Sequence, residues 1–283
     1  MTAAPPPALP KETDVSAKFA YVRLAQSDAE ITAAQRLRYM VFYEEYKAEP
    51  TPEMLAQKRD FDAFDTIADH LIVLTKDPES EQEHIVGTYR LIRQEVAEAF
   101  GRFYSEDEYD ISPLVRSGLT LLELGRSCVL APYRTKPILN LLWQGIADYI
   151  TRHEIDLLFG CASFPGTDIE ALSEQLSYLY HYHPTPKDIC PVALPDRYVN
   201  MNVVPKETFN EKRAFASLPP LIKGYLRLGA SIGNGAVIDE QFNTTDVCIV
   251  VQTTLLTERY RKYFERKIQR TMPGHGAPGE DKA

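Results

Sequence analysis

The sequence predicts an α/β chain of the α+β kind, with a mixed central sheet flanked by helices and a C-terminal elaboration. Three observations carry that expectation. Short apolar runs of strand length alternate with one helix-periodic segment in the first third of the chain; residues 122–145, LELGRSCVLAPYRTKPILNLLWQG, read as strand, irregular loop and helix; and a proline-rich stretch over 183–225 precedes a return of apolar runs.

In chain order, residues 1–18 (MTAAPPPALPKETDVSAK) are rich in Ala and Pro, lack an apolar repeat and are expected to form a disordered leader. AYVRLAQ reads as a first strand. Ser27 or Asp28 is expected to cap a helix through ITAAQRLRYMVFYEEY, where Ile31, Ala34, Leu37 and Val41 recur at helical spacing and Arg38 and Phe42 share a side. HLIVLTK and HIVGTYRLIRQ read as consecutive strands around the polar turn DPESEQE, and LTLLELGRSCVL as the next. Pro137 suits the opening of the helix ILNLLWQGIADYITRH. IDLLFGCAS is expected to be a strand, and a helix to run over 168–182. Prolines 184, 186, 191, 195, 205, 219 and 220 exclude long regular elements from 183–225, after which YLRLGA and DVCIVVQTT read as strands. The expected organisation is one domain over 19–272, with a core over 19–182, an elaboration over 183–272 and a flexible tail over 273–283.

A chain of 283 residues with 44% hydrophobic residues can bury a sizeable core. Its net charge of −9 speaks against nucleic acid as a partner, because that binding needs many Lys and Arg contacts to phosphate. No apolar run is long enough to span a bilayer and no signal-peptide pattern opens the chain, so a cytoplasmic location is expected, with a peripheral position on the inner membrane as its variant. Cys128, Cys161, Cys190 and Cys248 are irregularly spaced, and His181 and His183 have no third ligand beside them; neither set identifies a metal site. In ERYRKYFERKIQR, residues 258–270, six basic residues stand against two acidic ones. That segment fits a terminal helix packed on the core, or a docking surface for an acidic protein or an anionic membrane surface.

The charged residues of the apolar elements are informative as a set. Arg38, Arg90 and Arg126 are matched in number by Asp62, Asp65 and Glu123, and charges on such elements are tolerable when paired. The loop Tyr133, Arg134, Thr135 and Lys136 lies just before a helix, where exposed N–H groups and the helix dipole attract a phosphate.

The order Arg38-x-x-x-Phe42, Asp62-x-x-Asp65, His70, Gly87-x-x-Arg90-Leu91 and Glu123-x-x-Arg126 resembles the acyl-homoserine lactone synthases, a branch of the GNAT-type acyl-CoA N-acyltransferase fold. IVGTYRLI, ELGRSCV with PYR behind it, LLFGCASFPGTD and LPPLIKGYLRLGASIGNGAVIDEQFNTTDV together resemble the ornithine-lipid N-acyltransferases. The resemblance spans residues 20 to 265. It implies a GNAT-like fold and transfer of a 3-hydroxyacyl group from acyl carrier protein to the α-amine of L-ornithine, with no resident cofactor. It also implies that backbone N–H groups near Val129 and Leu130 polarise the thioester carbonyl, and that the loop from Tyr133 to Lys136 holds the pantetheine and its phosphate.

Glu123 is the first choice for the base, with Arg126 beside it. Ornithine brings a carboxylate and a second ammonium. Arg38 or Arg90 suits the carboxylate, and Asp62 or Asp65 the ammonium, with Asp239 and Asp246 competing for it; Phe42 completes the substrate-binding set. Other readings stay open: an N-acyl amino acid or acyl-homoserine lactone synthase, a covalent route through Cys161, and a non-catalytic module that binds carrier protein or membrane.

Overall fold

The computed structural model describes residues 20–76 and 82–256, with residues 262, 265 and 266. Nine strands and eight helices are described. β1 (Tyr21–Leu24), α1 (Asp28–Tyr39), α2 (Pro52–Gln57), β2 (Asp69–Lys76), β3 (Glu83–Arg93) and α3 (Gln94–Phe100) open the chain. β4 (Tyr109–Asp110), α4 (Ser112–Val115), β5 (Leu121–Val129), α5 (Lys136–Arg152), β6 (Leu157–Pro165) and α6 (Ser173–Tyr182) follow, and then β7 (Val192–Ala193), α7 (Glu211–Ser217), α8 (Pro220–Leu228), β8 (Ser231–Asp239) and β9 (Thr244–Gln252). All nine strands form one sheet in the order β1-β2-β3-β5-β6-β9-β8-β7-β4.

Strand alternation sends side chains to two cores, one on each face of the sheet. On β9, Val247, Ile249 and Val251 enter the larger core while Cys248 and Val250 enter the smaller; on β6, Leu158, Ala162 and Phe164 divide in the same way from Leu157 and Phe159. The larger core is covered by α5, whose Ile138, Leu142, Ile146 and Ile150 recur every four residues, and by α8 through Ile222, Tyr225 and Leu226.

The centre of the sheet is where the chain departs from regularity. β5 and β6 run parallel but pair only from Leu121↔Leu157 to Glu123↔Phe159. Beyond that point β5 stays with β3 and β6 stays with β9, so the two halves of the sheet part in a wedge bordered by residues 124–129 and 160–165. At its apex Gly160 has φ +150°, and a Cβ there would lie 2.1 Å from the Leu124 carbonyl oxygen. β5 also carries a bulge: three steps from Gly125 to Cys128 oppose two from Arg90 to Thr88, and Arg126 takes φ 50°.

Several expectations change. The helix expected through Tyr46 gives way to a π-helical turn over Met40–Glu45, and α6 begins at Ser173 rather than 168. YLRLGA is not a strand. Pro219 and Pro220 start α8 instead of excluding it, since proline suits a first helical turn, and Gly229 ends it in the left-handed conformation. The segment expected as an elaboration supplies β7, β8 and β9, and β9 pairs with β6 along nine residues, so its strands belong to the main sheet. Among the described residues no helix is long and apolar enough to cross a membrane. The basic segment 258–270 lies largely outside the described residues.

Candidate active site

Three arginines from three elements converge on three aspartates from one loop. Arg38 stands in the last turn of α1, Arg90 on β3 and Arg126 at the β5 bulge. Asp60, Asp62 and Asp65 precede β2, where Asp62 caps a 3-10 turn over Ala63–Thr66 by accepting from the Phe64 N–H at 2.9 Å. Arg38 donates to Asp60 Oδ2 at 2.6 Å and to Asp65 Oδ2 at 2.5 Å. Arg90 donates to Asp62 Oδ1 at 2.6 Å and to Asp65 Oδ1 at 3.2 Å. Arg126 donates to Asp62 Oδ2 at 3.2 Å and to the Tyr104 hydroxyl at 3.1 Å, and its Nε lies 3.3 Å from Asp60 Oδ2. Tyr43 donates its hydroxyl to Asp60 Oδ1, and His70 Nε2 donates to the Asp65 carbonyl.

The cluster is neutral overall, which makes its burial tolerable. Burial opposes ionisation of Asp60, but the Arg126 and Arg38 guanidiniums outweigh it and hold the carboxyl below its ordinary range. Arg38 and Arg90 do the same for Asp65 against its burial. Burial pushes His70 down, which favours its neutral form.

The third carboxylate of this set is Asp60, where the sequence suggested Glu123. Tyr104 separates Glu123 from Arg126: its N–H donates to Glu123 Oε2 at 2.9 Å, while its ring lies 4.8 Å from the Arg126 guanidinium. Ser105 donates its N–H to Glu123 Oε1 at 2.7 Å and its hydroxyl to the same oxygen at 2.5 Å. Glu123 is thus a buried carboxylate held by uncharged donors, and burial raises its pKa above the ordinary range. A second correction concerns Arg38 and Arg90 as clamps for a substrate carboxylate. They are 0% and 1% exposed and already committed to aspartates, so they build the site from beneath. Asp65 is sealed as well, while the Asp62 side chain remains 22% exposed. Phe42 is half-buried, edge-on to Phe242 at 5.6 Å, and Phe242 also lies 5.0 Å from the Arg126 guanidinium.

The loop before α5 fits the expectation in part. Thr135 caps α5 with its backbone but makes no side-chain cap bond, and its Oγ1 is buried without a partner; Lys136 is exposed at the first helical position. The Leu130 N–H, expected to polarise a carbonyl, is taken by the Val86 carbonyl at 2.9 Å because Leu130 continues the β3–β5 ladder. The Val129 carbonyl accepts from Arg134 Nε at 2.9 Å. Arg134 also forms two bonds to Glu45, at 2.5 and 2.6 Å, so it is an ion-pair member rather than a free cation. The Tyr133 ring is buried in the larger core.

Asp239 and Asp246, at the β8–β9 end, sit beside Glu108, which the sequence reading did not single out. One carboxylate oxygen of each lies within 4.8 Å of the others. Cys161 is half-buried, with its thiol pushed far up by desolvation, a poor nucleophile. His183 Nε2 bonds the Tyr178 hydroxyl at 3.0 Å, which accounts for it locally.

A family model described as an acetyltransferase (GNAT) domain matches residues 37–144. Three proteins named L-ornithine N(alpha)-acyltransferase are similar over almost the whole chain. The one from Agrobacterium fabrum is 49% identical over 251 residues, covering 88% of this chain and 86% of that protein. Those from Rhizobium meliloti and Brucella abortus are 50% and 51% identical, covering 86% and 88% of this chain and 83% and 90% of their own lengths. This chain belongs to the L-ornithine N(alpha)-acyltransferase family. It is an acyltransferase of GNAT type. The GNAT match contains the whole Arg–Asp cluster, Glu123 and the loop to Lys136, but stops before β6, β8 and β9. The second side of the wedge and the Asp239–Asp246 pair therefore lie in the part of the chain that the general domain model does not describe.

Asp60 was legible in principle, because DFDAFD places three aspartates within six residues. Glu108 was not, since one acidic residue in SEDEYD carries no spacing signal and only the fold brings it to β9.

Proposed function

We propose that this acyltransferase moves a 3-hydroxyacyl group from acyl carrier protein to the α-amine of L-ornithine, giving lyso-ornithine lipid, the first step of ornithine lipid biosynthesis. The observation that carries the reading is the identity of about half, along nearly the full length, to proteins named for ornithine Nα-acylation. The amine nitrogen forms the amide bond, the thioester C–S bond breaks, and the proton lost by the amine ends on the released thiol.

The wedge supports this chemistry. A thioester lying between β5 and β6 meets backbone N–H groups at the Arg126–Ser127 bulge, where the ladder is interrupted, and these replace Leu130 as donors to the carbonyl oxygen. Val129 borders the pantetheine through its backbone. The N-terminus of α5, with the Thr135 hydroxyl and the Lys136 ammonium, suits the phosphate; Arg134 joins it by exchanging Glu45 for phosphate. Arg126, less sealed than Arg38 and Arg90, is the guanidinium proposed for the ornithine carboxylate, with Asp62 and Phe42 bordering the same space. Glu123 is proposed as the base, acting through Ser105 because its own oxygens are occupied.

The test is mass spectrometry of products after incubation with 3-hydroxyacyl carrier protein, acyl-CoA as a parallel donor, and a mixture of amino acids. The expected product is N-acyl-ornithine from the carrier-protein donor alone. Acylation of another amine, or equal use of acyl-CoA, overturns the substrate assignment. Docking of carrier protein or anionic membrane on the basic segment 258–270 belongs to the same proposal; release of the protein from anionic vesicles when its lysines and arginines are neutralised tests the membrane part.

A further inference from the structure

Asp62 and Asp65 cannot easily receive a second ammonium, because Arg90 and Arg126 already occupy the Asp62 oxygens, and Arg38, Arg90 and Gln35 those of Asp65. The carboxylates of Glu108, Asp239 and Asp246 are differently placed. Glu108 Oε2 and Asp246 Oδ1 are buried without a hydrogen-bond partner, in residues only 5% and 6% exposed. A buried carboxylate oxygen with nothing donating to it is costly, and a bound cation removes that cost. Among the described residues none of the three forms a salt bridge. The two arginines whose charge reaches them direct their own bonds elsewhere: Arg197 to the carbonyls of Asp107 and Ile238, and Arg126 to the Arg–Asp cluster. Burial first, and then neighbouring carboxylates, push Glu108 and Asp246 above their ordinary range, against the Cys161 thiol beside Glu108 and the Thr244 and Ser163 hydroxyls beside Asp246, which lower them in part.

Position adds to chemistry. Asp246 is opposite Ser163 of β6, a strand that borders the wedge. Asp239 accepts from the Phe242 N–H at 3.1 Å, and Phe242 in turn packs against Arg126 and Phe42. Phe242 therefore touches both groups, the carboxylate trio through its backbone N–H and the guanidinium proposed for the amino-acid carboxylate through its ring.

We propose that Glu108, Asp239 and Asp246 bind the side-chain ammonium of the acceptor amino acid and so select a basic amino acid over a neutral one of similar length. The inference rests on the ornithine reading above and assigns its specificity. Three convergent oxygens match the three N–H donors of a compact ammonium, whereas a planar guanidinium prefers a two-pronged carboxylate. L-ornithine is thereby favoured over L-norvaline, which lacks the charge, and over L-arginine.

The test measures calorimetric binding and KM for L-ornithine and L-norvaline with the wild type, Asp246→Asn and Glu108→Gln, with circular dichroism confirming that each variant is folded. The wild type is expected to prefer ornithine, and each substitution to raise the ornithine Kd and KM by about tenfold to 100-fold, eroding the preference. Equal losses for both amino acids, no loss for ornithine, or a wild type that binds neither would overturn the assignment. So would tight Mg2+ or Ca2+ binding that both variants abolish while ornithine binding persists, which would make the trio a metal site. Ornithine binding that responds to the substitutions, without any N-acyl product, keeps the trio and removes the acyl-transfer reading. Product formation that ignores the substitutions does the reverse.

Discussion

Asp60 binds Arg38 and lies beside Arg126, so two guanidiniums of the buried cluster depend on its charge. Replacing it by Asn leaves two guanidiniums short of a counter-charge in a site sealed from water. Asp60→Asn is expected to lower unfolding stability by about 3–5 kcal/mol, measured by urea denaturation. Asp62→Asn, at a partly exposed position, is expected to cost no more than about 2 kcal/mol. Glu123 makes a different prediction. A base must be ionised to act, and burial raises this carboxyl above its ordinary range, so turnover is expected to rise with pH through that raised value. Glu123→Gln should abolish the rise as well as lower kcat; a variant that keeps the rise would make Glu123 an anchor for the Tyr104–Ser105 backbone and nothing more. At this scale the sequence revealed the three arginines and two of their three carboxylates, but not the third. Arg38, Arg90 and Arg126 stood out as charges on apolar elements, whereas the exchange of Glu123 for Asp60 depends on the placement of Tyr104, which no spacing encodes.

The element on which the proposed site rests is the interruption between β5 and β6. Both strands are legible as apolar runs, but their parting after Glu123 and Phe159 is not, because pairing partners are a tertiary property. Gly160 marks the apex. Its φ of +150° and the approach of its α-carbon to the Leu124 carbonyl leave no room for a side chain. Gly160→Ala is expected to cost on the order of 3 kcal/mol or more, and to lower activity in whatever protein remains folded, since the strands must separate further to admit the methyl group. A thermal melt together with an activity assay checks this; a variant with wild-type Tm and turnover would mean that the apex is not rigid. α8 shows the opposite failure of reading. Tyr225, Leu226 and Leu228 looked like a strand after two prolines, yet the prolines begin a helix whose apolar side closes the larger core.

Across the whole molecule, two groups of buried carboxylates respond to pH with opposite signs. Asp60 and Asp65 have folded pKa values below their unfolded ones, so they contribute stability that is present above the unfolded value and is lost as pH falls through the folded one. Glu108 and Asp246 have folded values above their unfolded ones, pushed up to about 7 and about 6 from 4.5 and 3.8. Their contribution is fully present below the unfolded values and is lost as pH rises through the folded ones. Asp246 and then Asp239 oppose ionisation of Glu108, and Asp239 that of Asp246, while the Thr244 and Ser163 hydroxyls and then Arg126 favour ionised Asp246, and Arg197 favours ionised Glu108; the Cys161 thiol, itself pushed far up, stays neutral beside Glu108 and lowers it in part. The described part of the protein therefore carries an acid limb from the cluster under α1 and a separate, near-neutral limb from the trio at β8–β9. Tm is expected to decline as pH rises from about 5 to about 8, a limb to which buried Glu123, also raised, adds in the same sense, and Glu108→Gln to flatten that decline by removing one of the raised carboxylates. Saturating L-ornithine should flatten it too, because an ammonium between the carboxylates favours their charged forms. A wild-type Tm that holds steady over this range, or a slope that neither Glu108→Gln nor ornithine alters, would mean that the trio is already neutralised within the fold.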